Sequence, residues 1–129
     1  MGTWGVHIKS LNTGHDGSLS TGHANSPKDM LSRLESMVLM GMDLPLGAVQ
    51  RQIASGIDII VHLGRLRDKS RKVLEVSEIL DYQDGEILVS PLYRFEEAGE
   101  KDGKIQGTWR KMDDLVHTQK LLAAGYKEV

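Results

Sequence analysis

The sequence predicts a mixed α/β chain in which two helices precede a meander of strands and a final short helix closes the order. Three observations carry that expectation. Residues 27–40 and 45–55 repeat apolar side chains at helical spacing. From residue 57 onward the apolar residues instead run in short blocks. Those blocks are broken by Asp84-Gly85 and Asp102-Gly103, dipeptides that favour tight hairpin turns.

In residues 1–11, Val6, Ile8 and Leu11 suit either the start of a strand or the end of a helix. Residues 12–25 are rich in Gly, Ser, Thr, Asn and His and read as a loop, with room for a short buried strand at Ser18-Leu19-Ser20-Thr21. Ser26 is a good N-cap, Pro27 suits the first helical position, and Asp29 sits three residues past the cap in a capping-box arrangement. Met30, Leu31, Leu34, Met37 and Val38 then form one apolar stripe, and Gly41 stops the helix. A second helix starts at Pro45, places Leu46, Val49 and Ile53 on one face, and ends at Gly56.

Ile57-Asp58-Ile59-Ile60-Val61-His62-Leu63 reads as a strand buried on both faces. Arg67-Asp68-Lys69-Ser70 is a polar turn. Residues 71–80 form the next strand, and 86–95 return as its hairpin partner. Pro91 argues that this partner is an edge strand or carries a bulge. Met112, Leu115, Val116 and Gln119 fit a last helix that stops near Gly125. No repeat, low-complexity segment or linker interrupts this order, so residues 1–129 are read as a single domain.

Composition narrows the function classes. Sixteen basic and eighteen acidic side chains give a net charge of -2, which calls for neither nucleic acid nor an anionic membrane as partner. Without cysteine there is no disulfide, thiolate metal site or cysteine nucleophile. No apolar run approaches the ~20 residues of a membrane span, and the expected location is the cytoplasm.

The unusual segment is Thr13-Gly14-His15-Asp16-Gly17-Ser18 followed by Ser20-Thr21-Gly22-His23-Ala24-Asn25-Ser26. Each of its two histidines follows a glycine, so backbone can approach a ligand there and an imidazole can donate to a phosphate oxygen. Spacing alone favours a plain polar surface loop. A zinc site would have only His15, His23 and Asp16 to draw on locally, short of a full ligand set, and no metal is expected. A Ser-His-Asp hydrolase lacks the Gly-x-Ser-x-Gly elbow. No lysine follows a glycine pair at phosphate-loop spacing.

The run Asn12-Thr13-Gly14-His15-Asp16-Gly17-Ser18-Leu19-Ser20-Thr21, continued by His23-Ala24-Asn25-Ser26-Pro27, resembles the histidine box of the type II/IV secretion ATPases, above all their CpaF-like branch of tight-adherence and Flp-type pilus machines. Arg33-Leu34, Met37, Leu44-Pro45-Leu46, Gln52-Ile53-Ala54-Ser55, Arg65-Leu66-Arg67-Asp68, Ser70-Arg71, Glu75, Ser77 and Glu78 continue the likeness, which is specific over residues 12–80 and looser beyond. The resemblance implies the C-terminal half of a RecA-like P-loop core within a homohexameric ring, set on the cytoplasmic face of the inner membrane against secretion or pilus platform proteins. It implies that His23 lies near the terminal phosphate of ATP, with Thr13, Gly14 and His15 shaping the same box and His15 and His23 as catalytic candidates. Arg51, Arg65 and Arg71 become candidates for subunit contacts or phosphate charge. ATP and magnesium are the cofactors of the intact family. The Walker A loop and Walker B carboxylate precede the histidine box in that family and are absent from these 129 residues, so no tight nucleotide binding and no hydrolysis are expected of this chain alone. The alternative is a non-enzymatic oligomerisation module derived from the same family. Gly22 stands where the family has a larger apolar residue, and Lys69 where a turn glycine is common.

Overall fold

The computed structural model describes residues 17, 19–41 and 43–127. In chain order it contains α1 (Pro27–Gly41), α2 (Leu46–Gly56), β1 (Ile59–Arg65), β2 (Arg71–Gln83), β3 (Glu86–Lys101), β4 (Lys104–Lys111) and α3 (Gln119–Ala123). The strands form one sheet in the order β1-β2-β3-β4, with antiparallel pairing of β1 with β2 and of β3 with β4. The mixed α/β order matches the sequence expectation. Two compact units divide the chain, one drawn from residues 1–58 and 79–89, the other from 59–78 and 90–129.

In the first unit, α1 starts where its capping residues place it. The Asp29 N–H donates to Ser26 Oγ at 3.0 Å, and the Asn25 N–H donates to Asp29 Oδ2 at 3.0 Å. The carboxylate of this capping box therefore reaches one residue further back than Ser26. It also receives Arg33 Nε at 3.1 Å. The Asn25 N–H first, and then Arg33, holds the Asp29 carboxyl below its usual range. Leu31, Leu34 and Val38 are buried, and Met30 and Met37 half-buried, as the stripe predicts.

Helix α2 begins at Leu46, because Pro45 is extended (φ -61, ψ 149) and acts as the N-cap residue. Val49 and Ile53 are fully buried. Leu46, expected on that face, is 48% exposed, and Gln50 is buried in its stead. The reason is polar satisfaction: Gln50 Nε2 donates to Glu35 Oε1 at 3.3 Å and ties α2 to α1. Tyr82 of β2 lies against α2, with the Arg51 guanidinium 5.2 Å from the centre of its ring. The expected buried strand at 18–21 is not formed: residues 19–24 are irregular and Leu19 is fully exposed, while Ser18 lies outside the described residues.

In the second unit, β1 runs from Ile59 to Arg65 and is not buried on both faces. Ile59, Val61 and Leu63 are 41%, 50% and 64% exposed. As the end strand of the sheet it has a ladder on one side only, and its outward row has no covering layer among the described residues. At the β2–β3 and β3–β4 connections the central residues all take positive φ, 52° and 83° at Asp84-Gly85 and 52° and 76° at Asp102-Gly103. That is the type I′ geometry whose twist matches the strands. Pro91 lies in β3, which is an interior strand rather than an edge, and it sits two residues before the ladder with β4 begins at Tyr93.

The last helix is shorter than its periodicity predicts. It spans Gln119–Ala123, while Met112 and Val116 stay outside it, 44% and 58% exposed. Glu78 explains the difference. Its carboxylate, 1% exposed in β2, accepts the N–H of Val116 at 2.8 Å and of His117 at 2.9 Å. Those donors are thereby withheld from the i−4 carbonyls a longer helix would need. Gly125 follows α3 with φ 100°, the stop expected there.

The turn between β1 and β2 closes through the Lys69 N–H to the Leu66 carbonyl at 2.9 Å and the Leu66 N–H to the Ser70 carbonyl at 2.8 Å. Lys69 sits at φ 69°, the left-handed region that a glycine occupies without strain. Lys69→Gly is expected to stabilise the chain by about 0.5–1 kcal/mol in urea unfolding. An unchanged or lower midpoint would show that the lysine side chain compensates for the strain.

Candidate functional site

His23 is exposed in the irregular segment that leads into α1, and its ring makes no hydrogen bond among the described residues. The backbone beside it is set by packing on the first turn of that helix. A Cβ at Gly22 would stand 2.7 Å from Met30 Cε and 2.9 Å from Met30 Sδ, so the thioether fills the space a larger residue would take. Thr13, Gly14 and His15 lie outside the described residues. Of the expected histidine box, the structure therefore describes the His23 end alone.

The three candidate arginines fall in different units, Arg51 in the first and Arg65 and Arg71 in the second. Arg51 projects from α2 of the first unit and stacks on Tyr82, a cation–π contact. Arg65 and Arg71 belong to the second unit, where the β1–β2 register sets them directly opposite each other. Both are exposed, and neither forms an ion pair among the described residues. Between them the turn is held by Asp68. Its Oδ1 accepts the Ser70 N–H at 2.9 Å and the Ser70 hydroxyl at 2.5 Å, and its Oδ2 accepts the Ile105 N–H at 2.8 Å. The Ile105 N–H and the two Ser70 donors push the Asp68 carboxyl down to about 2. Arg67 is taken by Glu97 and lies 3.7 Å from Glu100, and its guanidinium holds Glu97 below the usual carboxylate range. A cleft of about 320 Å³ opens beside the turn, lined among others by Lys72, Lys104, Phe95 and Trp109. The Trp109 ring is fixed by Nε1–H donation to the Val73 carbonyl at 2.6 Å and by Phe95, 5.5 Å away between centroids. Among the described residues, no three His, Cys, Asp or Glu side chains gather to hold a metal ion, and no helix is long and apolar enough to cross a membrane.

Sequence reasoning did not foresee the Asp68 and Glu78 clamps. Both residues stood inside the patterned stretch at 65–78, but the donors they hold lie 37 to 39 residues away. Such partners leave no trace in local spacing.

The family model for the type II/IV secretion system protein matches residues 2–113. The chain belongs to the type II/IV secretion system protein family. Its relatives include proteins named "Putative conjugal transfer protein" in two strains of Mycobacterium tuberculosis, each 31% identical over 80 residues, or 62% of this chain and 22% of the relative. Conjugal transfer protein TrbB of Rhizobium radiobacter is 34% identical over 77 residues, or 60% of this chain and 23% of the relative. The chain thus aligns with under a quarter of the length of the curated relatives it matches. In this secretion family member the stretch at 65–78 serves both as the last well-patterned segment of the resemblance and as the seat of the two carboxylate clamps.

Two outcomes test the clamps. Glu78→Ala is expected to cost about 2 kcal/mol and to speed amide hydrogen exchange at Val116 and His117 while leaving α1 amides unchanged. Unchanged exchange at those two amides would remove the clamp assignment. For Asp68, the folded value of about 2 lies below the ordinary carboxyl value of 3.8. Its contribution is therefore fully present above 3.8 and is lost as pH falls through about 2. Asp68→Asn should lower Tm at neutral pH and flatten the acid limb of the Tm–pH profile in that window; a parallel profile would contradict it.

Proposed function

We propose that this chain is the C-terminal portion of the motor domain of a type II/IV secretion ATPase of the CpaF-like branch, supplying the histidine box and a subunit-packing surface. The observation that carries this reading is the family match across residues 2–113 together with an exposed His23 at the entrance to α1 whose ring makes no hydrogen bond among the described residues. An exposed imidazole can donate to a phosphate oxygen supplied from outside. Thr13, Gly14 and His15 complete the box, with His15 and His23 as its catalytic histidines. The fold is the second half of a RecA-like core. The intact protein is a homohexamer on the cytoplasmic face of the inner membrane, docked on secretion or pilus platform proteins, and it uses ATP with magnesium.

In this reading Arg51 is a subunit-contact residue, already ordered by Tyr82, and Arg65 and Arg71 supply phosphate charge. The chain itself has no glycine-rich loop with a following lysine, so the groups that hold and polarise the β- and γ-phosphates must come from the other half. By itself it neither holds ATP tightly nor hydrolyses it.

The test is ATP binding and magnesium-dependent hydrolysis, first by the purified chain and then after the P-loop half of a family member is supplied in trans. The chain alone is expected to be silent. With the second half, turnover should appear and should fall at least tenfold in His23→Ala. Turnover by the chain alone would overturn the reading. Complementation that ignores His23→Ala would leave the non-enzymatic packing module as the better account.

A further inference from the structure

The sheet of the second unit holds two cross-strand arginine pairs. Arg94 of β3 stands directly opposite Arg110 of β4, and Arg65 of β1 stands directly opposite Arg71 of β2. Like charges placed directly opposite one another on a sheet are destabilising, because Cβ atoms there are only about 4.5–5.5 Å apart. The first pair is neutralised from within the sheet. Arg94 Nε donates to Glu75 Oε1 at 2.9 Å, and Arg110 lies 3.2 Å from Glu96 Oε1. The second pair is not. Among the described residues neither Arg65 nor Arg71 has a carboxylate partner. The acidic groups of the turn and of its Arg67 pair are already used: Asp68 is filled by Ser70 and the Ile105 N–H, and Glu97 is engaged by Arg67 with Glu100 close by. Lys69 and Lys72 add positive charge on either side of Arg71.

We infer that Arg65 and Arg71 form an oxyanion fork that takes a phosphoryl group from outside the chain. The inference rests on the phosphate role proposed above for the same two residues, and it names the chemistry they recognise. Two arginines at one register position carry two positive charges, which a singly charged carboxylate would half compensate. A phosphoryl group carries about −1.5 to −2 at neutral pH and offers three acceptor oxygens, enough for both planar forks. The turn between the two arginines is closed by hydrogen bonds to Asp68, which fixes the backbone positions from which the two side chains start. The same phosphoryl chemistry is presented by free phosphate or a nucleotide and by a phospholipid headgroup, and the experiment separates these sources.

Thermal unfolding of the 129-residue chain is followed in chloride and in phosphate at equal, low ionic strength, where surface charge is least screened. Phosphate should raise Tm by roughly 2–5 °C, the shift expected when a ligand binds the folded state at several times its Kd. Arg65→Gln and Arg71→Gln should each abolish that rise, yet in chloride each should melt at or above the parent temperature because the facing repulsion is gone. Arg94→Gln, from the compensated pair, should lower Tm in chloride and keep the phosphate response. Cosedimentation with phosphatidylcholine vesicles, with and without phosphatidylglycerol, gives the second arm. Binding that requires phosphatidylglycerol and is lost in Arg71→Gln assigns the headgroup as the source. A phosphate response without vesicle binding assigns free phosphate or a nucleotide. The inference is overturned if the parent responds to neither, if the two glutamine variants respond like the parent, or if Arg71→Gln melts lower in chloride as Arg94→Gln does. None of these readouts uses ATP turnover or His23, so failure here and failure of the motor assignment are separately visible.

Discussion

A carboxylate that takes the place of a backbone carbonyl is the constraint on which the second unit depends. Asp68 collects the Ser70 N–H and hydroxyl on one oxygen and the Ile105 N–H on the other. The first two bonds shape the β1–β2 turn, and the third joins it to the start of β4, 37 residues on. Each donor favours the ionised form, which is why the group stays charged far below the ordinary carboxylate range. The left-handed Lys69 is tolerated inside this bracket, since the turn around it is bonded at Leu66 and Ser70 as well as at Asp68. The register that sets Arg65 against Arg71 follows directly from that closure.

Glu78 solves the corresponding problem further along β2. A buried carboxylate with no partner would be costly, and a non-helical tail with unmet N–H groups would be too. Joining them satisfies both, and it fixes the course of the chain at Val116 and His117. The tail therefore reads as helical by its apolar spacing and is not helical in fact. Neighbouring Ser77, also fully buried, donates to Glu75, which in turn receives Arg94. Glu75, Ser77 and Glu78 of β2 thus each have a hydrogen-bond partner.

Local signals in the sequence were reliable wherever a residue acts on its own backbone. Ser26, Pro27 and Asp29 announced α1 to the residue, and Asp84-Gly85 and Asp102-Gly103 announced both hairpins through their positive φ. Signals failed where the deciding partner is distant. Gln50 displaced Leu46 from the α2 face because Glu35 on α1 was waiting for it, and no periodicity of α2 contains that fact. Of the candidate site, the family resemblance suggested His23, Arg51, Arg65 and Arg71, but it carried no information on which of them are already occupied. The stacking of Arg51 on Tyr82 and the open pairing of Arg65 with Arg71 needed the three-dimensional register.

The mismatch at β1 is of a different kind. Ile57–Leu63 has the continuous hydrophobicity of a strand covered on both sides, and the structure covers it on one. At roughly 25 cal/mol per Å² of apolar surface, a row such as Ile59, Val61 and Leu63 is expensive to leave in water. Sequence pattern records the environment in which a chain was selected, whereas burial records the contacts made by the residues at hand. For a chain that aligns with less than a quarter of its relatives' length, the two need not agree. The same reasoning applies to charge: Arg94 and Arg110 are balanced within the sheet, while Arg65 at the end of β1 and Arg71 at the start of β2 have no carboxylate partner among the described residues.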